Sequence, residues 1–452
     1  MANNRSLLTS YARSYTVENM YFSPASIVSG YHNLPDTIYC FLASIDPWTD
    51  NENPPVPTQD ERYLKSVLKK IFAVKRLYSS DISPVAERID WTANTTYIHY
   101  QDNVDMLEKD TEGKLVNKFY VRNQYDQIFK CLWNANSSPS TSEPYFRPGF
   151  FTDNGIFQGD DNYKWKYIYT IDSATKLKFF DNDWIPIKVT KNIGNPLKST
   201  YGYGAVEVIN VLTGGQGYAV PLTVNIIGDG YGANAVATIS GNTISDITIT
   251  NPGYNYTFAN VSITSASGVG FVGESPVSPL GGHGYDPVSE LGVSNLMISP
   301  RFKFSENGQL YTDITYYQIG ILVNPSSNSN GEDYNANSDF YNVTTKLTLS
   351  SAIDYGYNVG EVVYQGATLE DATFYGTVIK FEDTLLTLIN TTGAIDTSSL
   401  ITGNESGTQR LVFSYSEPDF IPVSGYPIFL QNRTGIQRSI DGIDHFKIII
   451  GY

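Results

Sequence analysis

The chain has 452 residues, with 30 Lys and Arg against 46 Asp and Glu, so its formal net charge at pH 7 is -16. This acidic balance argues against general nucleic-acid binding, whose affinity comes mainly from cations placed on phosphates. Hydrophobic residues make up 41% and charged residues only 17%, which excludes a disordered chain. The 34 Tyr and 37 Gly favour half-buried strands joined by tight turns. We therefore predict a mainly β protein, with two to four domains by its length.

The two cysteines, Cys40 and Cys131, are too few for a disulfide scaffold and lack the C-x-x-C spacing of redox and metal sites. We interpret them as small buried hydrophobic residues in a reducing compartment. The first residues have no apolar stretch typical of a signal peptide, and no window approaches the ~18 consecutive apolar residues of a membrane helix. The sequence therefore predicts neither a secretory nor a membrane-spanning segment.

Three helices are predicted, all near the N-terminus. Within Asp60–Leu77, apolar residues recur at helical spacing: Leu64, Val67, Leu68, Ile71 and Phe72. This pattern predicts an amphipathic helix, whose Lys and Arg we interpret as a solvated face with cations near the C-terminal dipole. Docking of that face on an acidic neighbouring protein is the alternative. A shorter helix is predicted over Tyr125–Trp133, and a third over part of Arg5–Tyr21.

A Gly/Tyr-rich section follows, in which no Lys or Arg occurs from Ser199 to Pro300. Alternating apolar residues on both sides of a Ser240–Thr243 turn predict a β-hairpin. Two Gly-Tyr phrases flank it, Gly217-Tyr218 and Gly253-Tyr254, each leading to a Val-x-Ile run. Their separation of 253 − 217 = 36 residues, with one residue of slippage, indicates an internal duplication.

We interpret residues 199–289 as an inserted β domain. The part from Gly204 to Gly268 is expected to bury its apolar residues internally and to be replaceable by a short Gly/Ser linker. A second insertion is predicted at residues 347–412, where short strands broken by Gly-containing turns suggest a small β-barrel or sandwich.

The predicted fold class is mainly β (α+β). We expect a discontinuous, two-layer β-sandwich-like core formed by residues 1–198, 290–346 and 413–452, with a few flanking helices and the two inserted all-β domains. Within this core Asp313–Val323 has strong β propensity.

The sequence offers little metal-binding or catalytic chemistry. The four histidines occur singly: His32, His99, His283 and His445. This spacing argues against a zinc or iron site. Gly228–Gly232 resembles a calcium-binding glycine repeat, but it occurs once and we interpret it as a turn. His283 and Asp286 could form an acid–base pair, although the surrounding Gly281–Pro287 has the Gly and Pro density of a specific turn.

Paired carboxylates can serve glycoside hydrolysis, and three acidic doublets occur: Asp160/Asp161, Asp181/Asp183 and Glu370/Asp371. In so acidic a chain we interpret them as solvated turns. The tryptophans all lie in the first 184 residues: Trp48, Trp91, Trp133, Trp165 and Trp184. We interpret them as packed in a core and not displayed for sugar stacking, so Trp48→Ala or Trp165→Ala should damage folding. No catalytic, cofactor-binding or metal-binding residue is assigned.

Six phrases of the predicted core, in order along the chain, carry a resemblance to a known protein family. They are Ile38–Phe41, Asp46–Asn53, Ile89–Trp91, Tyr163–Tyr169, Tyr317–Pro325 and Pro427–Arg433. They are similar to strands and loops of the gene-product-eight family of baseplate wedge proteins from T-even-like contractile phage tails. The resemblance covers about half of the chain, and the two β insertions depart from the shorter T-even pattern.

This resemblance implies a non-enzymatic structural subunit without a cofactor, located in the virion tail baseplate and assembled in the bacterial cytoplasm. It also implies a homodimer whose partners are other wedge subunits, which in T-even phages are gene products six, seven and ten. Neither nucleic acid nor a membrane is an expected partner. The alternative function is that of a tail-associated receptor- or glycan-binding protein.

Overall fold

The computed structural model describes residues 5–8, 37–147, 155–188, 204–293, 295–305, 310–329, 331, 342–351 and 356–451. The chain is mainly β, as predicted, with 47% strand and 6% helix. It divides into two compact units. The first unit comprises Met1–Ile82 and Ile298–Ile450, and the second comprises Ser83–Met297. The predicted division into a core and two insertions, with boundaries near residues 198, 290, 346 and 413, stays a prediction.

The helices are short and the strands numerous. The helices are α1 Glu61–Lys69, α2 Ser173–Phe179 and α3 Pro287–Glu290, and a 3-10 turn covers Ser79–Asp81. The strands are β1 Arg5–Leu8, β2 Ile38–Ala43, β3 Ile71–Leu77, β4 Ile82–Glu87, β5 Tyr120–Arg122, β6 Gln127–Trp133, β7 Ile156–Gln158, β8 Lys164–Thr170, β9 Trp184–Pro186, β10 Asn210–Gln216, β11 Leu222–Gly228, β12 Tyr231–Ser240, β13 Thr243–Tyr254, β14 Ala259–Ser265, β15 Val269–Glu274, β16 Asn295–Ile298, β17 Arg301–Lys303, β18 Ile314–Val323, β19 Thr345–Leu349, β20 Val362–Gln365, β21 Phe374–Glu382, β22 Leu385–Gly393, β23 Leu400–Gly403, β24 Gln409–Ser416, β25 Tyr426–Arg438, β26 Ile443–His445 and β27 Ile448–Gly451.

The first unit contains a five-stranded sheet in the order β1-β25-β18-β2-β3. Strands β2 and β18 pair antiparallel with Phe41 opposite Gly320, and β18 pairs antiparallel with β25 on its other side. A Cβ at Gly320 would clash with the Phe41 ring, so a glycine is required where this ring covers the strand. The buried side chains of the sheet pack against the apolar stripe of α1.

Helix α1 is shorter than the sequence pattern predicts. Asp60 caps its N-terminus by accepting a hydrogen bond from the Tyr63 backbone N–H, a typical N-cap interaction. The helix ends at Lys69, and Ile71–Leu77 instead forms the edge strand β3, paired with β2. The prediction of a helix to Leu77 is therefore wrong, because Ile71–Val74 is buried on both faces and such a continuous apolar run fits either period.

The first unit also contains a closed barrel of six strands, in the order β19-β22-β21-β20-β23-β24. It spans Thr345–Ser416, the region in which a small barrel or sandwich is predicted. Its interior is filled by apolar side chains that alternate along the strands: Leu347, Leu349, Val363, Phe374, Val378, Leu386, Leu388, Ile401 and Val412. Closure leaves the barrel without free strand edges.

In the second unit, the sheet β5-β6-β8-β7 carries a large apolar cluster. Residues Gln127–Trp133 form the buried strand β6, so the prediction of a helix over Tyr125–Trp133 is wrong. The segment is enclosed on both faces, and periodicity cannot separate a buried strand from a short helix. Of the third predicted helix, Arg5–Leu8 is a strand paired with β25, and residues 9–21 lie outside the described residues.

We call residues 204–277, which contain β10–β15, the β module. It consists of three two-stranded antiparallel sheets: β10-β15, β11-β14 and β12-β13. The predicted hairpin is confirmed as β12-β13, whose turn residues Gly241 and Asn242 both have positive φ, 57° and 63°. Such paired positive angles are typical of two-residue hairpin turns.

The module is internally duplicated, but its register differs from the predicted 36 residues. Tyr218 N–H donates to the Asn242 carbonyl (2.9 Å), and Tyr256 N–H donates to the Gly204 carbonyl (3.0 Å). The two donors, Tyr218 and Tyr256, are 38 residues apart, and the two acceptors, Gly204 and Asn242, are separated by the same number. A shift of 38 residues therefore relates the two hydrogen bonds. The equivalent of buried Tyr218 is therefore buried Tyr256. The predicted equivalence of Tyr218 with Tyr254, which is exposed, is wrong.

The same 38-residue shift relates several residues that determine the module's backbone and core, whereas the Val-x-Ile runs Val224–Ile226 and Val261–Ile263 match at 37 residues, the predicted separation with its one residue of slippage. Positive φ angles match at Gly215 and Gly253 (both 65°) and at Gly232 and Gly270 (86° and 83°). Core positions match in the same way: Val206 with Ile244, and Ile209 with Ile247. The Gly-Tyr phrase misled the prediction because Asn255, which also adopts positive φ (61°), takes the place of a glycine.

The apolar residues of the module bury one another, as expected, in a cluster centred on Tyr218, Ile244, Ile247 and Tyr256. The expected boundary at Gly268 is too early, since β15 (Val269–Glu274) pairs with β10. Replacement of Gly204–Gly268 by a linker would leave β15 without its partner strand.

Candidate functional site

Each histidine in the described part of the chain has its own set of contacts, and His32 lies outside that part. His99 Nε2 is 2.7 Å from Glu274 Oε1, and His445 Nε2 is 2.8 Å from Ser299 Oγ. His283 is fully buried, with its ring edge against Tyr100 (centroids 4.8 Å apart). Asp286 instead caps α3 by accepting a hydrogen bond from Ser289 N–H, so the structure does not bring His283 and Asp286 together as an acid–base pair.

Several acidic residues singled out in the sequence accept hydrogen bonds from backbone N–H groups and hydroxyls of other loops. Asp161 accepts from Ser140 Oγ and from the backbone N–H groups of Thr141 and Ser142. Asp229, in the glycine-rich turn, accepts from the N–H and hydroxyl of Thr257. These contacts shape turns.

Asp181 accepts from the backbone N–H groups of Asp183 and Trp184. In the third doublet, Thr368 donates its hydroxyl to Asp371. Within the described ranges, no group of three or more His, Cys, Asp and Glu is placed to hold a metal ion. Cys40 and Cys131 are both buried and free, and burial raises the pKa of each thiol. No helix among the described residues has the length and apolarity needed to cross a membrane.

A cluster of buried ionised groups in the second unit was not predicted. Lys130 Nζ lies 3.0 Å from Glu290 Oε2, with both side chains at most 2% exposed. Lys166 Nζ lies 3.5 Å from Glu207 Oε2, with the lysine fully buried. We call these four residues, together with His283, the buried ion cluster.

Strand register explains why both glutamates are needed. Lys130 on β6 lies directly opposite Lys166 on β8, and like charges in that position repel. Glu290 comes from α3 and Glu207 from the segment before β10. Each carboxylate also fixes backbone: Glu290 Oε1 accepts from Gly284 N–H and Glu207 Oε1 accepts from His283 N–H, both at 2.8 Å. The cluster therefore holds the Gly281–Pro287 loop on the sheet.

Electrostatics in the cluster follow from burial. Desolvation lowers the pKa of Lys130, opposed by the attraction of Glu290. Desolvation, reinforced by Lys130 and Lys166, holds the pKa of His283 well below its usual range, so its imidazole is neutral at pH 7. Burial raises the pKa of Tyr100, whose ring also faces the Lys130 ammonium at 4.1 Å.

We predict acid sensitivity from His283. Its pKa is depressed in the folded chain and about 6.5 when unfolded, so below pH 6.5 the unfolded state binds more protons. The free energy of unfolding then falls with decreasing pH, by at most about 1.4 kcal/mol per pH unit. The groups facing the ring are Tyr100, Lys130, Lys166, Glu207 and Glu290. Urea unfolding from pH 7.5 to 5 measures this slope.

The matched control is His283→Phe, which keeps a ring against Tyr100 and removes the titration. As the pH falls from 6.5 to 5, the unfolding free energy of the native chain should decrease relative to that of this variant. A difference that is constant over this range would contradict the prediction.

A second polar cluster, in the first unit, joins residues that are far apart in sequence. Asn432, fully buried on β25, donates to the Pro55 carbonyl (2.8 Å) and accepts from Gln318 Nε2 (2.8 Å). The Tyr63 hydroxyl contacts the same amide. Buried polar groups that are satisfied in this way fix one register of the strands that carry them.

Trp48 lies beside this cluster. Its Nε1 donates to the Arg433 carbonyl (2.8 Å), and its ring meets the Tyr317 ring edge to face at 6.4 Å. The side chain is half-buried, whereas Trp165 is fully buried between Tyr97 and Tyr163. The expectation that both tryptophans pack applies fully to Trp165.

No protein-family model matches the chain, and no curated protein sequence matches it.

Proposed function

We propose that this chain is a structural subunit of a phage tail baseplate wedge, which holds neighbouring wedge proteins in register for assembly and for the triggering of contraction. The observation that carries the proposal is the location of the family-like phrases. Ile38–Phe41, Tyr317–Pro325 and Pro427–Arg433 are far apart in sequence, yet they supply the adjacent strands β2, β18 and β25 of one sheet.

The contacts between these phrases support the same proposal. The Asp46–Asn53 loop reaches the other phrases through Trp48, which bonds the Arg433 carbonyl and packs against Tyr317. Phe41 from the first phrase covers Gly320 from the fifth. Four of the six phrases are thus mutually packed, as expected if the resemblance reflects a shared core, and the other two, Ile89–Trp91 and Tyr163–Tyr169, lie in the second unit.

The proposed subunit acts by binding and not by catalysis. Its partners are a second copy of itself and other wedge subunits, resembling gene products six, seven and ten of T-even phages, and its location is the tail baseplate of a virion assembled in the host cytoplasm. Polar, Tyr- and Asn-rich strand surfaces suit the wet interfaces of such assemblies.

A homodimer in isolation is the first expected result. Light scattering of the purified chain at micromolar concentration should give twice the monomer mass of 50.2 kDa, because the family-like subunit is paired within each wedge. Dilution separates a weak dimer from a stable one. A mass of one chain at every concentration tested would count against the wedge assignment.

A further inference from the structure

The internal duplication of the β module separates residues that the fold requires from residues that it does not. Glycines with positive φ and buried aromatic and aliphatic residues match after a shift of 38 residues, as described above. Exposed residues at the two related ends do not match. At one end stand Tyr231, Tyr254 and Phe258, and the equivalent positions at the other end hold Val269, Gln216 and Val220.

Two of the exposed rings at the aromatic end are in contact. Tyr231 and Tyr254 are opposite each other in the β12-β13 pair, with ring centroids 4.1 Å apart at an interplanar angle of 66°. Tyr231 is 52% exposed, Tyr254 44% and Phe258 52%. Asn255 Nδ2 lies 3.4 Å from the Tyr231 hydroxyl, and Asp229 ties the preceding turn to Thr257 and Phe258.

At the related end Gln216 and Val269 pair as Tyr254 and Tyr231 do, so these two rings are not needed for the strand pairing. Exposed aromatic groups set among amides and hydroxyls mark a binding surface. Tyrosine supplies a rigid apolar face with a polar tip, and Asn and Thr supply donors and acceptors for hydroxyl groups.

The absence of cationic side chains in the β module argues against an anionic ligand. No Lys or Arg occurs from residue 199 to residue 300, so the module supplies no cation for a sulfate, phosphate or carboxylate group. The carboxylates of the module are also engaged: Asp246 pairs with Lys164 at 2.8 Å, Glu274 with His99 and Glu207 with Lys166, and Asp229 accepts from Thr257. A neutral ligand with apolar C–H faces and many hydroxyl groups fits both the rings and the amides.

We propose that the Tyr231–Tyr254–Phe258 end of the β module binds a neutral saccharide. The ligand class is a chain of hexose or N-acetylhexosamine units, such as those of a cell-surface polysaccharide. This site is independent of the wedge assignment, since a baseplate subunit can carry a peripheral binding module and the rest of the chain is not involved.

The test uses the full chain with maltohexaose and chitohexaose in saturation-transfer difference NMR, and a sulfated oligosaccharide as the anionic comparison. At least one neutral hexasaccharide should bind, and the sulfated one should not. The double variant Tyr231→Ser/Tyr254→Ser should weaken binding about ten-fold or more, since each ring loses its stacking contact.

The related end provides the control, because Val220→Ser/Val269→Ser changes two exposed residues of that end, the equivalents of Phe258 and Tyr231, and should leave binding unchanged. Thermal melting shows that each variant is folded. The proposal is overturned if neither neutral saccharide binds, if the sulfated one binds more tightly, or if the tyrosine and valine variants behave alike.

Discussion

Replacement of Glu290 by Gln should destabilise the second unit by about 3–5 kcal/mol, the cost of leaving a buried charge without its partner. The amide oxygen of Gln can still accept from Gly284 N–H, so the loss reports the missing charge opposite Lys130. Both side chains of this pair are at most 2% exposed, which prevents water from compensating. Urea unfolding followed by tryptophan fluorescence measures the change.

Two further variants isolate the charge effect. The double variant Lys130→Met/Glu290→Gln removes both charges and should recover most of the loss, since a buried ion pair is often replaceable by apolar groups. The exposed i, i+4 pair Glu61–Lys65, with Nζ and Oε2 3.9 Å apart, is the surface control. Lys65→Met should leave the free energy of unfolding without a measurable change. If the double variant is as unstable as the single one, packing and not charge explains the cluster.

Replacement of Trp165 by Ala should cost about 3–5 kcal/mol of folding free energy. The ring is fully buried, stacked on Tyr163 at 5.5 Å and met edge to face by Tyr97 at 5.4 Å. The cavity left behind cannot collapse easily, because strands β6 and β7 pair with β8 on either side of it. Chemical denaturation gives the magnitude.

Trp165→Phe and Trp48→Ala serve as comparisons. Among the described residues Trp165 Nε1 has no hydrogen-bond partner, so Phe loses only ring volume and should cost much less than Ala. Trp48→Ala removes a half-buried ring with one hydrogen bond and should cost less than Trp165→Ala. Equal losses for Trp48 and Trp165 would show that their different burial does not govern their contribution.

The parts of the fold that the sequence predicts correctly are those in which neighbouring residues determine the local structure. Alternation toward Gly241-Asn242 predicts the β12-β13 hairpin, and dense short strands predict the barrel near Thr345–Ser416. Continuous apolar runs are where prediction fails. Gln127–Trp133 and Ile71–Leu77 are largely buried strands, and it is pairing with neighbouring strands, β5 and β8 for the first and β2 for the second, that distinguishes them from helices.

The buried ion cluster leaves one signal in the sequence. Lys130 interrupts the apolar run Ile128–Trp133, and Lys166 lies among aromatic residues, and a lysine in such a run must be paired. The identity of the partners could not be predicted, because Glu290 is 160 residues from Lys130. The 38-residue register could not be predicted for another reason. Asn255 stands at the position equivalent to Gly217, so the Gly-Tyr dipeptide seen in the second half, Gly253-Tyr254, is not the structural equivalent of Gly217-Tyr218.

The central claim is that this chain is a wedge subunit, and co-assembly tests it most directly. The purified full chain is mixed with the wedge subunits encoded beside it, and the mixture is examined by light scattering after size exclusion. The account predicts a discrete complex of fixed stoichiometry that contains two copies of this chain. Separate elution of every component, at concentrations where the other wedge subunits bind one another, would contradict it.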